Sequence, residues 1–268
     1  MTGQTMPPPR IAILSSRRCG AQALYRLLAP TMQGRLAGGQ PFHWDNVWGD
    51  VSRVFHEGQP EHARSQLDAY LEAGALFHHH YDVESWGFNE MLLAGLARSG
   101  FRLLVIERDP TVEHLFSVIV SEHLKLSDAV GVQRWRERLR AGAAVDAFDL
   151  DQVRRQVQLW WQTRGWFRRV VGTCAAERWV CSHERLFLRG VSGLAAVDEV
   201  FAFAGLGPRD AWVDDASLLR FLFNGHHYTA GLAAYSATLR AVRDTIEDEL
   251  SRLQAVAGSP NGETQAHG

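Results

Sequence analysis

Apolar positions along the chain alternate between two periods. Continuous runs, the signature of strands covered on both faces, occur at Ile11–Ser15, Ala75–Tyr81, Arg102–Glu107 and Trp179–His183. Helical spacing lies between and after them. Leu24, Leu27 and Leu28 follow the first run, and Val112, Leu115, Phe116, Ile119, Val120 and His123 trace one face after Pro110. Val153, Val157, Trp160, Trp161 and Phe167 trace another. Val197, Val200, Phe201 and Phe203 give a short helix that stops at Gly205-Leu206-Gly207-Pro208. The last helix, Tyr235 to Leu253, turns Leu239, Val242, Ile246 and Leu250 inward. This alternation predicts an α/β fold with a mostly parallel sheet and helices on both faces. Ligands of such sheets bind beyond the carboxyl ends of the strands. Residues 30–60, rich in Gly, Trp and His, read as a long loop with a short helix, a candidate lid. The pattern implies one domain over residues 10–256, between disordered ends at 1–9 and 257–268.

Composition narrows the class. The 268 residues, 46% hydrophobic and 22% charged, suit one large α/β domain with ample core. A net charge of −2 gives no case for nucleic acid or an acidic membrane surface. The three cysteines, Cys19, Cys174 and Cys181, are too few and too scattered for a disulfide framework, which points to a reducing compartment. The first ten residues lack an apolar signal core, and no run approaches the roughly 20 apolar residues of a membrane span. A cytoplasmic protein is expected. Nothing in the pattern speaks to oligomeric state.

Candidate chemistry concentrates after the first strand. Ser15-Ser16-Arg17-Arg18-Cys19-Gly20 leads into a helix beginning near Ala21 and Gln22. It brings two guanidiniums to a helix N-terminus, where free N–H groups and the positive dipole end attract phosphate or sulfate. It lacks the GxxxxGK[ST] of a Walker A loop. A second block, Phe101 to Pro110, is a strand ending in Arg108-Asp109-Pro110, with Ser117 on the following helix. Such a guanidinium and hydroxyl suit a nucleotide phosphate; alternatively Arg108 is a surface residue before a helix-start proline. A third, Ala75 to Tyr81, puts His78 and His80 on one side of its strand and His79 on the other. His80 suits a base for a hydroxyl proton. The pair also reads as ordinary strand-end histidines, or as two ligands of a metal site for which no third ligand stands at a recognised spacing. Asp82 and Glu84 could orient His80 or lie in a solvated loop, and His43, Trp44 and Trp48 could line an acceptor pocket or pack the core. Glu107 reads as a partner for Arg108 or as half of a strand-end ion pair; the His226-His227 pair before Tyr228 has no nameable partner.

Taken in order, these blocks resemble the PAPS-dependent sulfotransferase superfamily, in the manner of a divergent bacterial-type member. The loop at 15–20 resembles the family's 5′-phosphosulfate loop, (S/P)-(R/K)-S-G-(S/T)-(S/T); the second block resembles its strand–R-(D/N/E)-P–helix–Ser 3′-phosphate motif. The third resembles its strand ending K-x-H. Val180 to Leu186, followed by Val197 to Leu206, resembles its late Y-E-D-L and F-L-G-L segment. The likeness covers scattered blocks from about residue 10 to 206. The departures are specific. Ala21 and Gln22 replace the loop hydroxyls, and Cys19 replaces Ser. His78 stands for Lys, His183 stands for Tyr, and Ser117 comes nine rather than eight residues after Arg108.

The resemblance implies a P-loop-like three-layer α/β/α fold and sulfuryl transfer from PAPS to a hydroxyl of a small-molecule, lipid or carbohydrate acceptor. In-line attack on sulfur releases PAP, and catalysis is mainly positioning plus charge stabilisation. On this reading His80 is the base, and Arg18 stabilises the leaving group with Arg17 as its neighbour. Arg17, Arg18, Cys19, Gly20, Ala21 and Gln22 hold the 5′-phosphosulfate, while Arg108 and Ser117 hold the 3′-phosphate. No metal is expected. The rival readings are a catalytically degenerate binding protein of the same fold, for which Ala21, Gln22 and the displaced serine speak, a P-loop-like nucleotide kinase, and a metal hydrolase. Acceptor contacts are expected from loops at 30–60, 82–92 and 208–235.

Overall fold

A computed structural model describes residues 9–32, 36–109, 111–126, 129–187, 191–223 and 229–257. Apart from Pro9 and Ala257, the ends expected to be disordered lie outside the described residues, as do Pro110 and His226-His227. The chain forms two compact units, Met1–Asp109 with Trp166–Gly225 and Pro110–Gly165 with His226–Gly268.

The first unit is built on a five-stranded, all-parallel sheet in the order β2-β3-β1-β4-β5. Its strands are β1 (Ile11–Ser15), β2 (Leu36–Gly39), β3 (Leu76–His80), β4 (Arg102–Glu107) and β5 (Arg178–Ser182). Central β1 aligns Ser15 with His80 on one side and Ile106 on the other, so β1 and β3 end level and β4 runs one residue further. Strand alternation assigns the layers. Ile11, Ile13, Leu104 and Ile106 pack with α1 (Ala21–Leu28) and, further along the chain, with α9 (Val191–Ala204) and α10 (Asp215–Phe223). Ala12, Leu14, Phe77, Leu103 and Val105 pack on the other face with α2 (Gly49–His56), α3 (Pro60–Ala73), α4 (Trp86–Arg98) and Phe167 from the end of α7 (Leu150–Thr173). This is an α/β/α layering, as the strand–helix alternation predicts. A short α8 (His183–Leu186) follows β5.

Three expectations are corrected. The segment 30–60 contains a strand, β2, which its glycines concealed, besides the expected short helix α2. The run at 179–183 is not a strand covered on both faces. It is the edge strand β5, with Val180 50% exposed, and His183 already starts α8. Much of 82–92 and 208–235 is helical rather than loop, because Ser85 caps α4 by accepting from the Phe88 N–H and α10 occupies Asp215–Phe223.

The second unit is helical. It contains α5 (Val112–His123), α6 (Ala129–Arg140), α7 as far as Gly165, and α11 (Ala237–Ala257). Its core joins Leu115, Phe116, Ile119 and Val120 to Val153, Val157 and Trp160 and to Leu239, Val242, Ile246 and Leu250. No described helix is long and apolar enough to cross a membrane.

Leu104, fully buried in the middle of β4, tests the sheet. Leu104→Ala should lower stability by about 2–5 kcal/mol, read as a fall in the urea midpoint at unchanged slope.

Candidate functional site

The strand order reverses direction across β1: the chain leaves it for β2 at one edge, returns with β3 beside it, and then crosses to β4 and β5 on the other side. Such a switch point opens a crevice at the carboxyl end of the central strand. The segment filling it is Ser16 to Gly20, which leaves β1 and enters α1.

Its backbone changes hand twice. Arg18 has φ 64° and Gly20 has φ 82°, with Cys19 between them at negative φ. Alternation of this kind turns successive N–H groups toward a common point, as anion-binding concavities do. A left-handed arginine is strained and persists only where its surroundings impose it. Gly20 caps α1 without any side chain, leaving the helix N-terminus uncovered by a cap. A Cβ at Gly20 would collide with the ring of Phe187, so the sharp entry into α1 needs glycine on two counts.

Three neighbouring strands hold this loop residue by residue. Just past β3, Asp82 accepts from the Arg17 backbone N–H (2.9 Å) and from its Nε (3.0 Å). Just past β4, Arg108 donates from Nη1 to the Arg18 carbonyl (3.1 Å). Just past β5, His183 donates from Nδ1 to the Cys19 carbonyl (3.1 Å). Arg108 is 4% exposed, with Nε 3.6 Å from Glu184. Asp82 and His183 thus hold the loop, whereas the sequence pattern suggested a histidine orienter for the one and only sheet packing for the other. Glu107, at the end of β4, forms a strand-end ion pair with Arg168 (Nε to Oε2, 2.6 Å), one of its two readings from sequence.

Electrostatics follow burial. Cys19 is fully buried, shares a hydrogen bond with Ser16 Oγ (3.0 Å), and has its thiol pKa pushed up to about 12 by desolvation, so it is no thiolate. Arg18 is exposed by area, but the protein around it strips part of its hydration; that and the like charge of Arg17 lower its pKa. It remains a cation, as arginine does in proteins.

The histidine strand divides as alternation requires. His78 donates from Nε2 to Gln22 Oε1 on α1 (2.7 Å) and lies edge-on to Tyr25. Its Nδ1 is buried and has no hydrogen-bond partner among the described residues. His79, on the opposite face, donates from Nε2 to Asn89 Oδ1 (2.7 Å). His80 shares a hydrogen bond between Nδ1 and Ser15 Oγ (3.1 Å), beside the loop. Gly39 closes this corner: a Cβ there would lie 2.5 Å from His78 Nε2 and 2.8 Å from Gln22 Oε1. Burial, and then neighbouring histidines, depress the pKa of both His78 and His80 to about 3. Burial also lowers that of His79. All three are neutral near pH 7, and His80 is weakly basic.

The structure therefore brings together Arg17, Arg18, Cys19, Gly20, Ala21, Gln22, His80 and Arg108. Ser117 is buried in α5 of the second unit. Of the aromatic candidates, Trp48 is core, stacked on Tyr70 at 5.5 Å, whereas Trp44 is 57% exposed. Among the described residues no three His, Cys, Asp or Glu side chains gather as a metal cage needs. Comparisons with family models, curated proteins and solved structures found no match to this chain.

Two outcomes follow. Gly20→Ala should destabilise the fold by more than the roughly 1–2 kcal/mol of a left-handed residue, measured by denaturant titration, because the ring of Phe187 must also move. For pH, the unfolded histidines bind protons near pH 6.5 while folded His78 and His80 wait until about 3. The unfolded state thus holds more protons in between. Stability should be full above about pH 6.5 and fall with acid, by up to about 1.4 kcal/mol per pH unit per histidine. His78→Gln should flatten that slope, and an unchanged slope would count against a neutral His78.

Proposed function

We propose that this chain is a PAPS-dependent sulfotransferase of the P-loop-like α/β/α kind, acting on an acceptor hydroxyl. The observation that carries the reading is the convergence, at the carboxyl end of β1, of an alternating-hand loop bearing Arg17 and Arg18 with His80 and Arg108. Three separate strands were needed to assemble it, and the blocks fall in the order the family resemblance requires. The residues present fit the co-substrate chemically. Loop N–H groups and Arg18 suit a 5′-phosphosulfate, and the buried guanidinium of Arg108 suits a second phosphate.

In this reading His80 takes the hydroxyl proton of the acceptor as its oxygen bonds to sulfur. Arg18 balances the negative charge that grows on the bridging oxygen as the bond from sulfur to PAP breaks. Asp82 offsets the charge of Arg17 and fixes the loop, which leaves Arg18 as the more exposed guanidinium. Arg108 acts twice, as a phosphate donor and as the clamp on the Arg18 carbonyl. Ser117 is assigned to the 3′-phosphate on the resemblance alone. None of the three cysteines is in a disulfide, which suits a reducing, cytoplasmic setting.

One observation favours a second reading, a PAP-binding protein of this fold without transfer activity. His80 is buried and weakly basic, and Gln22, standing where the family has a hydroxyl, is engaged by His78.

Calorimetric titration separates the possibilities. Wild type should bind PAP more tightly than AMP, and bind ATP with Mg²⁺ poorly. Arg18→Gln should weaken PAP about 10- to 100-fold, as expected for the loss of about 1.5–3 kcal/mol from a charged hydrogen bond. Absence of PAP binding would sink both readings; PAP binding with no labelled sulfate transferred to any acceptor would favour the second.

A further inference from the structure

Beyond the loop and its histidines, the same unit carries a second cluster that the transfer chemistry does not use. The turn after β3 grips two partners with two carboxylates: Asp82 holds Arg17, and Glu84 holds His56 Nε2 at 3.0 Å. The Glu84 side chain is only 5% exposed, whereas that of His56 is 34% exposed. A buried carboxylate that grips one ring nitrogen fixes the orientation of the imidazole. Trp44 lies beside this ring, centroids 6.2 Å apart, and is 57% exposed. Two residues after Glu84 in the chain, Trp86 is 42% exposed and stacks at 5.4 Å, nearly parallel, on buried Trp166. Phe55, next to His56, fills the space over Gly87. Val47 and Val83, both exposed, belong to the same two segments.

Resting on the sulfotransferase reading, we propose that this face is the acceptor subsite and that its ligand is an uncharged saccharide. The chemistry selects that class. A pyranose offers a flat face of C–H groups to an indole and a rim of hydroxyls to a positioned imidazole. A planar aryl alcohol needs an enclosed apolar slot, and here the tryptophans are open to solvent and interleaved with polar groups. Glu84, whose partner His56 carries no fixed charge, and Asp45 next to Trp44 in the chain disfavour an anionic ligand. Placement also fits. Glu84 follows His80 by four residues, and the Val83 N–H turns back onto the His80 carbonyl (3.2 Å). The two Cα atoms are therefore at most about 15 Å apart, within the span of a short oligosaccharide. His56 and Trp44 bind the acceptor; Glu84 is a positioning residue that acts through His56.

The test uses the full-length chain and saturation-transfer NMR with cellopentaose, maltopentaose, chitopentaose and naphthol, with PAP affinity measured separately. Wild type should bind at least one of the saccharides in preference to naphthol. Trp44→Ala should weaken that binding at least tenfold and His56→Gln severalfold. Trp212→Ala, which removes an exposed tryptophan elsewhere on this unit, should leave it unchanged, and PAP affinity should survive Trp44→Ala. Failure of all three saccharides, preference for naphthol, or undiminished binding by Trp44→Ala would overturn the proposal. PAP binding without saccharide binding refutes the subsite alone, whereas saccharide binding without PAP binding supports the subsite and refutes the transfer chemistry.

Discussion

A loop that leaves a central parallel strand has no ladder partners, so its polar backbone must be satisfied by whatever its neighbours deliver. Here Asp82, Arg108 and His183 take Arg17, Arg18 and Cys19 in turn, from three different strands. Because each tether stands just beyond the end of its own strand, the loop inherits the register of the sheet. The left-handed backbone at Arg18 is held by this arrangement: the Arg108 guanidinium on its carbonyl helps fix a conformation that a free arginine would seldom adopt.

Burial then decides which of the nearby groups carry charge. His78, His79 and His80 lie in a strand covered on both faces, where a protonated imidazole is poorly solvated, so all three are neutral. Cys19 remains a thiol for the same reason, in spite of the arginines beside it. Positive charge is left to the arginines, and Asp82 offsets one of them. The cationic groups around the loop are Arg18 and Arg108, beside the backbone N–H groups of the α1 N-terminus.

The turn at 81–85 links two regions of the first unit. Asn89 donates to the carbonyls of Tyr81, Glu84 and Ser85, which stiffens the turn. From this one segment Asp82 reaches the loop after β1 and Glu84 reaches the imidazole beside Trp44. Shared anchoring of this kind ties the loop and the His56–Trp44 pair to the same turn.

Much was readable from the chain alone. Continuous apolar runs and 3.6-residue spacing located four of the five strands and the helices α1, α5, α7, α9 and α11, because a buried face imposes its spacing on any sequence that fills it; α3, α4, α6 and α10 went unread. Alternation along Leu76–His80 also set His78 and His80 apart from His79. β2 escaped because its glycines carry no side-chain pattern, and β5 was misjudged as covered because apolar content does not reveal an edge. The Arg17–Asp82 pair, the grip of Arg108 and His183 on the loop carbonyls, the bond from Gln22 to His78 and the Glu84–His56 pair join residues from 28 to 164 positions apart. Local spacing determined which residues share a face. Only the tertiary structure decided which faces meet, because those contacts depend on strand order, and strand order leaves no periodic trace in the sequence.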